Sequence, residues 1–381
     1  MSASPTPWEL FDTVIRDLPP IFWAPQISEG RDGWVVNDGL AIRKLLADTE
    51  HFSNKAKFSI RSVAKRAVLP IPSLSDPPDH GFYKALLFPR FAPKYFTALE
   101  QEIRTTARTA IDGFRDRGHC EFMADFAFEF PIKVFLMLMG LPLEMTARFL
   151  AWEHEMMRGA NIQVIADTIS SVTEYLAEEI ADRRVRPRDD LITFGLQAEH
   201  KGRKLNEEEL AGYCLNLFLG GLDTVSAAMS HQFVHLATHP EQQARLREDP
   251  GLIADAVDEL TRAYAVIIQM RDCVKPIEIR GQQILPGDRV CMPTQIANRD
   301  PAVFESPAEI IFDRKPQHMT FGTGPHFCLG VHLARRELRT AVEEFLAAIP
   351  QFRIAEGHAV AYDLGGIFQP VALPLTWDRL G

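Results

Sequence analysis

Between Asn206 and Thr238 the chain keeps a helical period without a proline, a span of roughly 50 Å at 1.5 Å per residue. Asn206 with Glu209 fits a capping box at its start, and Pro240 stops it just past Thr238. Residues 213–222 are apolar almost all round, so this helix must run through a core, and the fold has to be built about it. Two local rules break inside that stretch. Gly220-Gly221 sits mid-helix, where each glycine costs about 1 kcal/mol relative to alanine. Asp223-Thr224 then puts a carboxylate and a hydroxyl where unpaired burial is costly. Breaches of this kind concentrate at functional sites.

Most of the remaining chain is helical in period, at 42–46, 95–115, 130–139 and 165–184. Strands are few. Residues 33–37 are expected to pair with 21–24 across the turn at 29–32, and 277–279, 283–285 and 289–292 form a second set. A last hairpin is expected between Ile367 and Thr376. The basic run 183–188 reads as the solvated end of one helix, with Asp189 capping the next. The class is mainly α with small β-sheets, in a single domain over 1–381.

Lys plus Arg is 41 against 51 Asp plus Glu, a net charge of −10, which disfavours nucleic acid as a partner. The five cysteines are scattered with no CxxC pair, as suits a reducing compartment. No apolar run reaches the ~20 residues of a membrane span, and the N-terminus has no signal-peptide pattern. A cytoplasmic protein is the expectation. His231, His235 and His239 share a stripe, but the Glu of H-E-x-x-H is missing, so they read as ordinary helix residues rather than zinc ligands.

One cysteine stands apart. In Phe321-Gly322-Thr323-Gly324-Pro325-His326-Phe327-Cys328-Leu329-Gly330, Cys328 lies in a glycine-rich turn leading into a helix over 331–346. A thiolate there can accept backbone N–H bonds and gain from the positive end of the helix dipole. Gly322, Gly324 and Gly330 let the backbone turn tightly and lie close to a flat ligand.

The pattern F-G-x-G-x-H-x-C-x-G resembles the haem-binding loop of cytochromes P450. Gly220-Gly221-Leu222-Asp223-Thr224 resembles the oxygen groove of that family's central helix, and Glu259-Leu260-Thr261-Arg262 resembles its E-x-x-R. The resemblance covers about residue 20 to Trp377 and is closest to the soluble bacterial, camphor-hydroxylase branch. It implies a P450 fold with haem b between the central helix and the cysteine-loop helix. Cys328 would be the axial iron ligand, and Phe321, Gly322 and Gly330 would line its loop. His80 and Lys84 on one helix, with Arg271 and His326, would meet the propionates. Lys84 stands where the family usually has arginine, a point charge in place of a fork.

Gly220, Gly221, Asp223 and Thr224 would hold oxygen and route protons. Glu259 and Arg262 would brace the segment before the cysteine loop; the third member of that brace is open, with Glu309 near its usual place. Phe58, Val68, Ile71, Asn216, Leu219, Ile267, Ile367 and Phe368 are the substrate-lining candidates, mostly apolar, with the Asn216 amide available to a ketone, ether or hydroxyl.

The expected activity is O2-dependent hydroxylation of a small terpenoid- or norisoprenoid-like substrate. Electrons would come from a ferredoxin and a separate NAD(P)H-dependent reductase, docking where Lys84, Arg335, Arg336 and Arg339 offer positive charge. The alternatives are a haem-thiolate peroxygenase or isomerase/dehydratase, and a non-catalytic haem sensor. Neither has need of the acid–alcohol pair.

Overall fold

The computed structural model describes residues 6–28, 30–55, 68–159, 161–364 and 367–379. They are mainly helical with small sheets, in two compact units. One comprises Met1–Ser53, Ala107–Ala127 and Thr224–Gly381; the other, Asn54–Thr106 and Phe128–Asp223.

In the first unit, strand Ile21–Ser28 pairs antiparallel with Arg31–Val36, which runs parallel to Arg289–Pro293. Arg289–Pro293 in turn pairs with Ile268–Cys273, and Phe52–Ser53 closes this five-stranded sheet. Helix Gly39–Ala47 starts where the Asp38 carboxylate accepts the Ala41 N–H at 2.9 Å, and lays Ile42, Leu45 and Leu46 on the sheet. A second core is aromatic: Phe233 lies 4.2 Å from Phe122 and 4.9 Å from Phe345, ring to ring, with Phe352 at 5.5 Å.

The second unit is built on helices Glu129–Met139, Thr146–Arg158, Ile162–Val185 and Glu207–Gly221, around Phe135, Phe149, Trp152 and Phe218. Asn206 and Glu209 form the expected reciprocal cap, at 2.9 Å each way.

Four expectations need correction. The long helical span is two helices, Glu207–Gly221 and Asp223–Thr238, divided at Leu222, where the glycine pair and the Asp-Thr pair weaken helical continuity. The 95–115 span likewise divides at Leu99 into Pro93–Ala98 and Glu100–Asp112. The C-terminal hairpin does not form: Phe368–Pro370 pairs with Tyr362–Leu364, whereas Pro374–Thr376 joins Arg353–Ile354 and His119–Glu121.

The basic run is the fourth. Asp190, not Asp189, caps Leu191–Gln197, and Arg183 is fully buried. Its guanidinium donates to Asp190 at 2.6 Å, Glu179 at 2.7 Å and the Gly140 carbonyl at 2.6 Å.

Candidate active site

Cys328 is half-buried in the turn before helix Val331–Ala348, and its N–H donates to the Phe321 carbonyl at 2.9 Å. Gly330 caps that helix without a side-chain hydrogen bond, which leaves first-turn N–H groups for a thiolate. A Cβ on Gly330 would sit 3.9 Å from Cys328 Sγ, and one on Gly322, whose φ is +73°, would meet nothing nearer than 3.7 Å. Gly324 has a different reason from the one its pattern suggests. Its Cβ would fall 2.7 Å from the Ala47 Cα, so this glycine admits helix Gly39–Ala47 and not a flat ligand. Among the described residues no group of three or more His, Cys, Asp or Glu is arranged to hold a metal ion. One thiolate in a turn left open by Gly322 and Gly330 fits a haem, which brings its own equatorial nitrogens.

The turn is braced from behind. Glu259 and Arg262, both wholly buried on helix Ile253–Ala263, form a two-bond fork at 2.8 Å each. Arg262 also donates to the carbonyls of Asn298 (2.8 Å), Pro307 (2.9 Å) and Glu309 (3.1 Å). The open third place belongs to Arg314, whose Nε reaches Glu259 at 2.9 Å; Glu309 contributes its backbone only. The outer side of the same helix carries Asp258, which accepts from Arg335 at 2.8 Å, and Arg335 lies over the Phe321 ring at 5.3 Å. Arg335 is therefore tied down as a strut, and Arg339 pairs with Glu343 at 2.6 Å.

In the second unit, Asp223 is 2% exposed and accepts from Arg158 at 3.1 and 3.3 Å. Arg158 also donates to Glu153 at 3.3 Å. Burial, then the neighbouring Asp223, pushes the Glu153 carboxyl up to about 8. Sequence reasoning missed both residues. The available signal was one acid on an apolar stripe with Phe149, Trp152 and Met156. Thr224 follows Asp223 directly and is half-buried.

The other candidates fall into place unit by unit. His80 and Lys84 lie one turn apart on helix Asp79–Leu87; burial and then Lys84 push the His80 imidazole below its ordinary range. Arg271, buried on strand Ile268–Cys273, donates to Gln269 at 3.1 Å and the Met270 carbonyl at 2.7 Å, and His326 closes the short turn Gly324–His326. Ile267 and Ile367 are joined by a β-bridge.

Phe368 is a core residue, its ring stacked on Phe11 at 6.0 Å and its carbonyl taken by His231 at 3.0 Å. Ile71 is buried beside Gly212, where a Cβ would meet the Leu69 carbonyl oxygen at 2.2 Å. Val68, Asn216 and Leu219 are half-buried, and Phe58 lies outside the described residues. His235 is held by Tyr264 at 2.8 Å and Gln242 at 2.9 Å, and His239 by the His235 carbonyl at 2.8 Å, as ordinary helix residues are.

Comparison with known proteins gives one answer throughout. The family model "Cytochrome P450" matches residues 132–350. The chain is 38% identical to "Probable cytochrome P450 127A1" of Sinorhizobium fredii, over 96% of this chain and 88% of that protein. It is 32% identical to "Cytochrome P450-terp" of a Pseudomonas species, over 78% of this chain and 74% of that one. The solved structure of CYP101C1 superposes with a TM-score of 0.88 at 33% identity, covering 97% and 93% of the two chains.

Proposed function

The chain belongs to the cytochrome P450 family, and from that membership we propose that it hydroxylates a compact terpenoid- or norisoprenoid-like substrate with electrons from a ferredoxin. The observation that carries the oxygen-activating reading is the buried Asp223, held by Arg158 at a helix break immediately before Thr224. A peroxygenase, isomerase or sensor has no use for a desolvated acid beside a hydroxyl.

Haem bound through Cys328 supplies the activation of dioxygen. The chain's own residues do the rest. Cys328 enters as thiolate, its backbone fixed to Phe321 and its loop stiffened by Glu259, Arg262 and Arg314. His80, Lys84, Arg271 and His326 are assigned to the propionate carboxylates. Gly220 and Gly221 leave the backbone bare for a small ligand. Asp223 would hold a proton for the Thr224 hydroxyl, which would present it toward the ligand side of the haem. Ile267 and Ile367, with Val68, Ile71 and Leu219, offer apolar surface to a hydrocarbon skeleton, and the Asn216 amide offers one hydrogen bond to an oxygen function on it. The 32% identity to "Cytochrome P450-terp" supports the terpenoid class. Ferredoxin docking rests on Lys84 and Arg336, with a smaller share from Arg335, which Asp258 already engages.

The test is NADH-driven turnover with a ferredoxin system over a terpenoid panel, for the wild type and for Thr224→Ala. A saturable low-spin to high-spin shift and product matched to NADH support the assignment. Thr224→Ala is expected to keep consuming NADH while its product per NADH falls roughly a hundredfold, the low end of a lost proton-transfer group, with peroxide in its place. Unchanged coupling in that variant would remove the proton route. No spin shift with any terpenoid would remove the substrate class.

A further inference from the structure

The Phe321 carbonyl accepts the Cys328 N–H at 2.9 Å, so the placing of Phe321 bears directly on the cysteine. Its ring has charged and polar company. The Arg335 guanidinium lies over the ring at 5.3 Å, and the His318 imidazole stands 5.6 Å away, tilted by 45°. Both of these side chains end on one carboxylate oxygen of Asp258. Arg335 donates to it from Nε at 2.8 Å and brings a terminal nitrogen to 2.7 Å, while His318 Nε2 lies at 3.3 Å. The Thr320 N–H donates to the other ring nitrogen, Nδ1, at 3.3 Å, so the imidazole proton sits on Nε2 and points at Asp258.

The cluster therefore holds one cation and one anion. The His318, Asp258 and Arg335 side chains are 1%, 25% and 42% exposed, which makes the anion the less exposed of the charged pair. Burial works against the charged Asp258 carboxyl, but the bonds from His318 and Arg335 hold it below its ordinary value. Mechanical support of the turn does not need this pair, because Glu259 with Arg262 and Arg314 already gives it. What Asp258 adds is charge. It fixes a cation against the ring beside the turn, in the second turn of the helix that Cys328 leads into, and offsets that cation at the same time. An electron placed on a group bound by Cys328 adds negative charge there. A lone cation nearby favours that electron, a lone anion opposes it, and a fixed pair nearly cancels.

We propose that Asp258 is a positioning residue for the iron ligand: it holds Arg335 and His318 on the Phe321 ring and so sets the reduction potential of the group that Cys328 binds. The idea rests on Cys328 as that ligand. It assigns a role to a residue outside the E-x-x-R pattern, on the other side of the same helix.

The test is the reduction potential of the haem-loaded protein, measured by spectroelectrochemistry at low salt, with the thiolate-type spectrum of the reduced CO complex as the check on the ligand. Asp258→Asn leaves the cation uncompensated and should raise the reduction equilibrium constant. Arg335→Gln leaves the anion and should lower it. Water screens a half-exposed pair, so each change is expected at roughly threefold, or about 30 mV at 59 mV per tenfold for one electron. The double variant should return close to the wild type, Asp258→Glu should stay there, and the shifts should shrink as salt is added.

A merely structural role predicts a different pattern. Each single variant would then loosen the turn, both would move the potential the same way, and the double variant would move it further. Shifts of one sign, or no shift in either single variant while the thiolate-type spectrum is kept, would overturn the proposal and leave Cys328 as the ligand. A wild type without the thiolate-type spectrum would overturn the ligand reading and the proposal together.

Discussion

The assignment of Arg314 as third member of the buried brace makes a quantitative demand. Arg314→Ala removes one charge-assisted bond to Glu259 at 2.9 Å, with bonds to the carbonyls of Glu305, Ser306 and Glu309. Glu259 keeps its fork to Arg262 and the Ile311 N–H, so the anion is not stranded. The Arg314 side chain is 12% exposed, so the freed carbonyls can reach water. The loss is then one charge-assisted bond plus partial losses at the carbonyls, about 2–4 kcal/mol. Arg262→Ala should cost more, about 3–5 kcal/mol, because a wholly buried Glu259 loses two bonds at once.

Glu309→Ala changes only a side chain whose carboxylate takes no part, and should stay within about 0.5 kcal/mol. The assay is urea unfolding of the haem-loaded protein, followed both by circular dichroism and by the thiolate-type spectrum of the reduced CO complex, with slopes compared as well as midpoints. The order Arg262, Arg314, Glu309 is expected. Equal loss for Glu309→Ala and Arg314→Ala, or none for Arg314→Ala, would refute the assignment.

Two further outcomes follow from burial. Gly212→Ala would drive a Cβ to 2.2 Å from the Leu69 carbonyl, a backbone atom; a loss of about 1–3 kcal/mol is expected, with weakened spin shifts for ligands that touch Ile71, and wild-type stability would show that the 69–71 segment gives way freely. His231 and His235 are buried neutral, and burial pushes each imidazole down from 6.5 to about 4. Unfolding binds protons between those values, so their stabilisation is full above about pH 6.5 and lost as pH falls toward 4. By pH 5 each loses about 2 kcal/mol, which urea midpoints at pH 7 and 5 should reveal and His231→Gln should halve.

The turn carrying Cys328, the Gly-Gly and Asp-Thr breaches and the Glu259–Arg262 spacing were all readable because each is a local pattern with a local cost. What stayed hidden depends on partners distant in sequence. Arg183 sits in a basic run that normally faces water, and nothing nearby in sequence says that Gly140 and Asp190 enclose it. Glu153 and Asp223 are far apart along the chain and converge on Arg158 only through the fold. The failed hairpin has the same origin, since Pro374–Thr376 has ordinary strand character but finds its partners near residues 120 and 354. Gly324 fits its motif for a reason the motif does not state, the approach of Ala47.

Helix Ile253–Ala263 grips in two directions, with Glu259 and Arg262 turned inward to the segment before the cysteine turn and Asp258 outward to Arg335. Because Thr320 donates to the Thr261 carbonyl at 2.8 Å and Arg335 to Asp258, both ends of the 320–335 stretch are moored to that one helix, and the stretch has little freedom to open alone. Hydrogen exchange at the Cys328 amide should therefore follow the global unfolding of its unit instead of a local fluctuation. Cys328, as the proposed iron ligand, would then be held in place until the whole support gives way, so loss of the metal group would accompany denaturation rather than precede it.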